Sequence, residues 1–345
     1  MCIPTVNKEI IMKYNLCRLF IFFSLYSFTA CKGQGTFGEN YLPVKKVIPL
    51  PGVMGRIDHM DVNLKDQVIY IGALENNTLE AVSLKVGKVI HSIAGLDEPQ
   101  GVCYIPQTDE IFVANGGSGD CYFYHAANFK KISTIHLGSD ADDVHYDSAT
   151  QRIYVAYGSG GIAIIDARNH DKVGDIKLPS HPEGFQIDKR NGLLYVNLPK
   201  SNVIGVVDIS KLKLVSEWNK NDGRGNFPMA IDSEGNKLFV GYRHPATLVI
   251  IDTKTGKRIA AEKLTDDADD LFYDDGNNRL YASCGGGYVN IFQLLGENHF
   301  KQIANVSTRK GARTSLLIPS LNLFVVCEPA NSGHEADLMV YKIDR

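Results

Sequence analysis

The stretch "RIYVA" (152–156) sets an aromatic residue among apolar neighbours, and six others repeat it: "VIYIG" (68–72), "EIFVA" (110–114), "LLYVN" (193–197), "KLFVG" (237–241), "RLYAS" (279–283) and "NLFVV" (322–326). The central aromatics, Tyr70, Phe112, Tyr154, Tyr195, Phe239, Tyr281 and Phe324, lie 42, 42, 41, 44, 42 and 43 residues apart. A period near 42 with no helical pattern inside it predicts one four-stranded β-propeller blade per repeat, and so an all-β, seven-bladed ring.

Each unit reads alike. An apolar strand such as "DVHYD" (143–147) is followed by a tight turn, "SATQ", and then by the aromatic strand and a Gly-rich loop. A third strand such as "IAIIDAR" (162–168), another turn and a fourth such as "KVGDIKL" (172–178) complete the unit. The last unit ends after three strands, at "ADLMVYKIDR" (336–345), whereas "VKKVIPLPG" (44–52) parallels the fourth strand "KKISTIHLG" (130–138). The N-terminal strand is therefore expected to complete the last blade and leave no open edge. The propeller is placed at 43–345.

The pieces "LYVN" (194–197), "NNTLEAVSL" (76–84), "SNVIGVVDI" (201–209) and the D-x-x-x-G-K pattern at 252–257 resemble the YVTN-repeat, YncE-like family of bacterial seven-bladed propellers. The resemblance covers roughly 43–345 and implies the fold more than a function: the family holds binding proteins, some of them binding single-stranded DNA. Trp218 is the sole tryptophan, which excludes a WD40 array and the tryptophan docking repeats of alcohol-oxidising quinoproteins.

The first thirty residues differ from the rest. Lys13 and Arg18 precede the apolar run "LFIFFSLYSF" (19–28), and "TAC" (29–31) follows, as in a secretion signal. The cysteine after Thr-Ala resembles a bacterial lipobox, which implies acylation of Cys31. The expectation is a signal peptide at 1–30, a tether at 31–42, and an exported chain held by lipid in the periplasm or at the outer membrane. A plain signal peptide with Cys31 incidental is the alternative, and Met12 offers a second start.

The composition is globular, 44% hydrophobic and 22% charged. Without the leader, 33 basic residues face 38 acidic ones, which argues against a general nucleic-acid partner. Cys103, Cys121, Cys284 and Cys327 match no C-x-x-C metal or redox spacing and read as buried thiols.

The repeat gives each residue an address. Twelve positions before the core aromatics stand Asp58, Gln100, Asp142, Glu183, Phe227, Asp269 and Ala312; eleven before stand His59, Gly101, Asp143, Gly184, Pro228, Asp270 and Arg313. These positions open the innermost strands and crowd around one mouth of the central channel. Arg56 and His181 fall just before such strands, while Tyr157 and Arg243 follow aromatic strands on the same face.

The mouth thus gathers acid in two similar stretches, "SDADDVHYD" (139–147) and "TDDADDLFYDD" (265–275). Carboxylates so placed repel one another unless something positive intervenes. Asp142 and Asp269 are candidate ligands of a hard cation, Ca²⁺ or Mg²⁺. His59, His181 and Glu183 would add donors for a transition metal. Arg56, Asp58, Gln100, Glu183, Phe227, Tyr157 and Arg243 are candidate contacts for a small polar molecule, a carbohydrate or a protein partner. Asp143 and Asp270 read equally as ligand contacts or as acceptors of backbone N–H groups. Arg313 would pair with Asp270 or hold an anion.

A noncatalytic binding module is the leading expectation. The alternative is a metal-assisted lyase or hydrolase of a carbohydrate or lactone-like substrate, resembling the streptogramin and polysaccharide lyases, with His59 or His181 as base and Arg313 as anion stabiliser. Single-stranded DNA binding is disfavoured by the acidic rim. The Gly-rich loops precede no helix and so make no phosphate cradle.

Overall fold

The computed structural model describes residues 41–219, 223–296 and 299–344; the leader, Cys31 and most of the tether lie outside them. Seven four-stranded antiparallel sheets form the molecule. Blade 1 comprises Met60–Asn63, Val68–Ala73, Thr78–Ser83 and Lys88–Ala94, and the pattern repeats through blade 6, which ends with Phe300–Ser307. Blade 7 takes Ser315–Ile318, Leu323–Glu328 and Asp337–Lys342 from the C-terminal end and Val44–Pro49 from the N-terminal end.

The seven aromatics of the repeat are all buried. They occupy the second strand of each blade, where both faces meet a neighbouring blade, so the apolar clusters form between blades. One joins Tyr154, Ile162 and Ile164 of blade 3 to Leu194 and Val196 of blade 4. Another joins Leu338 and Val340 of blade 7 to Ile69 and Ile71 of blade 1, with Ile48 of the closing strand among them. Such burial of about 1.5–3 kcal/mol per large side chain is the main attraction between blades.

The hairpin before each aromatic strand is a repeated local device. Gln67, Asp109, Gln151, Asn236 and Asn278 each stand three positions before the aromatic with φ between 52° and 56°. The turn demands a left-handed residue there, which short polar side chains tolerate. At the start of four of the seven hairpins, Asn63, Asp147, Asp188 and Asp232 accept turn N–H groups at 3.0, 3.2, 3.3 and 2.7 Å. These side chains, three acids and one amide, are structural and lie away from the acidic mouth.

The closing strand pairs antiparallel with Asp337–Lys342, Ile48 opposite Leu338 and Val44 opposite Tyr341. Leu42, placed in the tether by sequence, is buried with Tyr281 and Phe324 between blades 6 and 7. A polar staple ties blade 2 to blade 3: Ser133 Oγ lies 2.7 Å from His170 Nδ1, and His170 Nε2 lies 3.0 Å from Glu110. Phe123 stacks on that imidazole at 3.8 Å. The four cysteines are free and buried, and burial pushes each thiol up, away from reactivity.

Replacing Ile48 by Ala removes buried methyl groups from the closing strand and is expected to cost about 2–5 kcal/mol in chemical denaturation. The exposed neighbour change Lys45→Ala should stay within about 0.5 kcal/mol. Equal, small effects of both would show that the N-terminal strand does not hold the ring closed.

Candidate functional site

The inner strands converge on the axis, and β-bulges at their first residues aim the acids. In blade 3 the register steps from Ala141 opposite Tyr157 to Val144 opposite Val155, so Asp142 and Asp143 share the space of a single partner residue. In blade 6 it steps from Ala268 opposite Cys284 to Asp270 opposite Ser283, leaving Asp269 as the extra residue. A bulge interrupts strict alternation and lets consecutive side chains face the channel. The same step occurs in blades 2 and 5, at Gln100-Gly101 and Phe227-Pro228, so the bulge permits a pair to face the channel and the sequence makes it acidic in blades 3 and 6.

Three arginines organise the mouth. Arg56 donates to Asp58 at 2.9 Å and lies 3.7 Å from Asp269. Arg243 donates to Asp269 at 2.5 Å and to the Ala268 carbonyl at 3.3 Å, with its guanidinium 3.7 Å above the Phe227 ring. Phe227 is thus the platform for a cation of the protein itself. Arg313 grips Asp267 with both terminal nitrogens, at 3.0 and 2.9 Å. The expected Arg313–Asp270 pair is not formed, because Asp270 lies deeper, beneath the loop that carries Asp267.

Asp142, His181 and Glu183 form the remaining group, with one ligand atom from each lying within 4.8 Å of the others. His181 Nδ1 donates to the Gly158 carbonyl at 2.6 Å and lies 3.3 Å from Asp140, while Nε2 faces Asp142 at 3.8 Å. Burial and the Asp142 charge push the Glu183 carboxyl up to about 8. Burial opposes charge on His181, but Asp142, the Gly158 carbonyl and the Asp140 and Glu183 charges outweigh it and raise the imidazole to about 9.

Beneath the mouth, the channel widens into a cavity of about 320 Å³ lined by His59, Asp61, Asp143, His145, Gln186 and Asp270 among others. Asp143 accepts the Phe185 N–H of the next blade at 3.2 Å, and Asp270 accepts the Ser315 N–H at 2.6 Å. His59 lies 3.7 Å from Asp58 and 3.5 Å from Asp270. Burial disfavours its charge, yet Asp58, Asp270 and Asp143 hold it well above the ordinary histidine value. His59 is thus placed as a close counterpart of the channel carboxylates. His145 lies 3.4 Å from Asp143, and Asp143 is held below its ordinary value despite burial by His145 and His59.

One expected contact lies elsewhere. The Tyr157 hydroxyl donates to Asp175 at 2.9 Å, with Lys172 over its ring at 4.8 Å, so this side chain runs toward the outer strand of blade 3 and away from the mouth. Gln100 keeps to the mouth face, folded over Gly116 in the loop after the aromatic strand of blade 2, where an added Cβ would come 1.7 Å from Oε1. Asp61 was missed. It accepts the Tyr104 N–H of the next blade at 2.7 Å, and the signal for it is the ring nine positions before the aromatics, which alternation turns into the channel along with the ring at eleven.

Solved structures confirm the architecture. The chain is similar to one in a crystal structure of the mitotic checkpoint complex, with TM-score 0.74 and 14% identity over 96% of this chain and 100% of that one. It is also similar to hydrazine synthase of Kuenenia stuttgartiensis, with TM-score 0.72 and 17% identity over 86% and 99% of the two chains. At these identities the likeness is one of fold, the β-propeller. No protein-family model and no curated protein matches the sequence.

Burial pushes the Asp61 carboxyl up to about 6, against two backbone N–H bonds and the His145 charge, from an unfolded value of 3.8. The folded chain therefore holds a proton that the unfolded chain releases between these values. Asp61's contribution to stability is full below pH 3.8 and is lost as pH rises through about 6. Asp61→Asn should flatten the pH dependence of unfolding free energy across that window; an unchanged slope would contradict a raised carboxyl.

Proposed function

We propose that the chain is an exported, lipid-anchored YncE-like propeller that binds a small polar, cationic or polyhydroxylated ligand at the mouth of its channel. The leader and Cys31 support export and anchoring, and the repeat pieces support the family. One observation carries the ligand reading. Among the described residues, Asp58, Asp267 and Asp269 each have an arginine, whereas Glu183 has no ion-pair or hydrogen-bond partner for its carboxylate and Asp142 has only His181. Two partly buried carboxylates left this way favour an incoming positive or donor-rich group.

One solved neighbour belongs to a mitotic checkpoint complex and the other to a hydrazine synthase, so the shared fold occurs both in a protein assembly and in an enzyme. A metal-assisted lyase or hydrolase is the second reading, and the imidazole and two carboxylates beside Arg56 are the observation in its favour. In that reading His181 and Glu183 would supply the metal and proton chemistry, since His59 is held among channel acids. An acidic mouth is a poor surface for single-stranded DNA.

Thermal unfolding of the full chain against Ca²⁺, Mg²⁺, Co²⁺, spermidine and neutral oligosaccharides tests the proposal. A ligand at a hundredfold excess over its Kd adds about 2.7 kcal/mol. The expected result is stabilisation by one of these classes, lost in Asp142→Asn. Stabilisation by none of them would overturn the small-ligand reading. Incorporation of a fatty-acid label that survives in Cys31→Ser would overturn the anchor.

A further inference from the structure

We infer that Asp142, His181 and Glu183 form a binding site for a divalent first-row transition ion, in the series from Mn²⁺ to Zn²⁺. This rests on the reading of the mouth as a ligand site and names the ligand as a metal.

The first argument is the donor set. An imidazole nitrogen with two carboxylate oxygens suits Mn²⁺, Fe²⁺, Co²⁺ or Zn²⁺, whereas Ca²⁺ and Mg²⁺ take oxygen. Metal–ligand bonds of about 2.0–2.2 Å put neighbouring donors roughly 3–3.5 Å apart. Ligand atoms already within 4.8 Å of one another need only modest side-chain rotation to close on an ion.

The second argument is the orientation of His181. Its Nδ1 donates to the Gly158 carbonyl at 2.6 Å, which fixes the ring and directs Nε2 toward Asp142. Metal-ligating histidines characteristically spend their other ring nitrogen this way, because the outer bond sets the tautomer and raises the basicity of the ligating nitrogen. The backbone supports the geometry as well. Asp142 sits in the bulge of blade 3, and the Glu183 N–H is tied to the Asn197 carbonyl at 3.0 Å. Pro182 separates the two ligands of this loop and restricts its path.

The third argument is the selective use of arginine. Neighbouring acids of the mouth are neutralised by Arg56, Arg243 and Arg313, which stay on Asp58, Asp269 and Asp267. No guanidinium or ammonium group among the described residues lies within 4 Å of Asp142 or Glu183. Three protein donors leave coordination positions for water or for an anionic ligand group on the side of Arg56.

The test is titration of the full chain with Co²⁺ after dialysis against a chelator, read by visible d–d absorption. Saturation at one ion per chain is expected, with displacement by Zn²⁺ and none by equal Ca²⁺ or Mg²⁺. His181→Ala and Glu183→Gln should each weaken binding by about tenfold or more while circular dichroism stays unchanged. His136→Ala, which removes an exposed histidine, should bind as wild type. No saturable absorption, or absorption undiminished in His181→Ala, overturns the inference. If Co²⁺ fails while spermidine, Ca²⁺ or a sugar still stabilises the chain, the metal falls and the small-ligand reading stands. Failure of every probe removes both.

Discussion

The hydrogen bonds between Val44–Pro49 and Asp337–Lys342 are the constraint on which the rest depends. Without them, blade 7 would present an open edge and Ile48 would leave the cluster that joins blade 7 to blade 1. Closure also fixes the geometry of the axis. Seven inner strands held around one channel bring side chains from distant parts of the chain together, so that residues 127 positions apart, Asp142 and Asp269, both act on Arg56. The ring is what turns a sequence of modest charge into a concentrated acidic mouth.

That concentration is costly, and the site is organised by how the cost is met. Asp143 and Asp270 are offset by backbone N–H groups of the following blade, which also lock blades 3 to 4 and 6 to 7. The channel acids share His59 and His145. Three arginines answer three further acids. The Asp142–His181–Glu183 group is what remains after this allocation, and its functional weight comes from the contrast with its compensated neighbours.

The fold was legible because blade packing demands an apolar pattern at a fixed spacing, and aromatic residues mark it from Tyr70 to Phe324. Addresses at the mouth were legible too, since counting back from those aromatics follows the strand. What counting does not supply is the partner of each side chain. Arg313 chose Asp267 over Asp270 because a loop, free of strand register, carries the former. Tyr157 ends its strand on the face toward Asp175, a choice made by a residue on the outermost strand. Asp61 stands in unbroken register two positions beyond His59, so alternation alone marks it as a channel residue, and it was passed over for the more obvious acids at eleven and twelve.

What occupies the space between Asp142, His181 and Glu183 decides the role of the mouth. Anomalous diffraction at the manganese edge from crystals of the full chain soaked in Mn²⁺ locates such an ion without reference to activity. The expected result is one strong peak bounded by Asp142, His181 Nε2 and Glu183, with Arg56, Arg243 and Arg313 still on their own carboxylates. A map with no peak there, and Arg56 turned onto Asp142 and Glu183, would contradict a metal site.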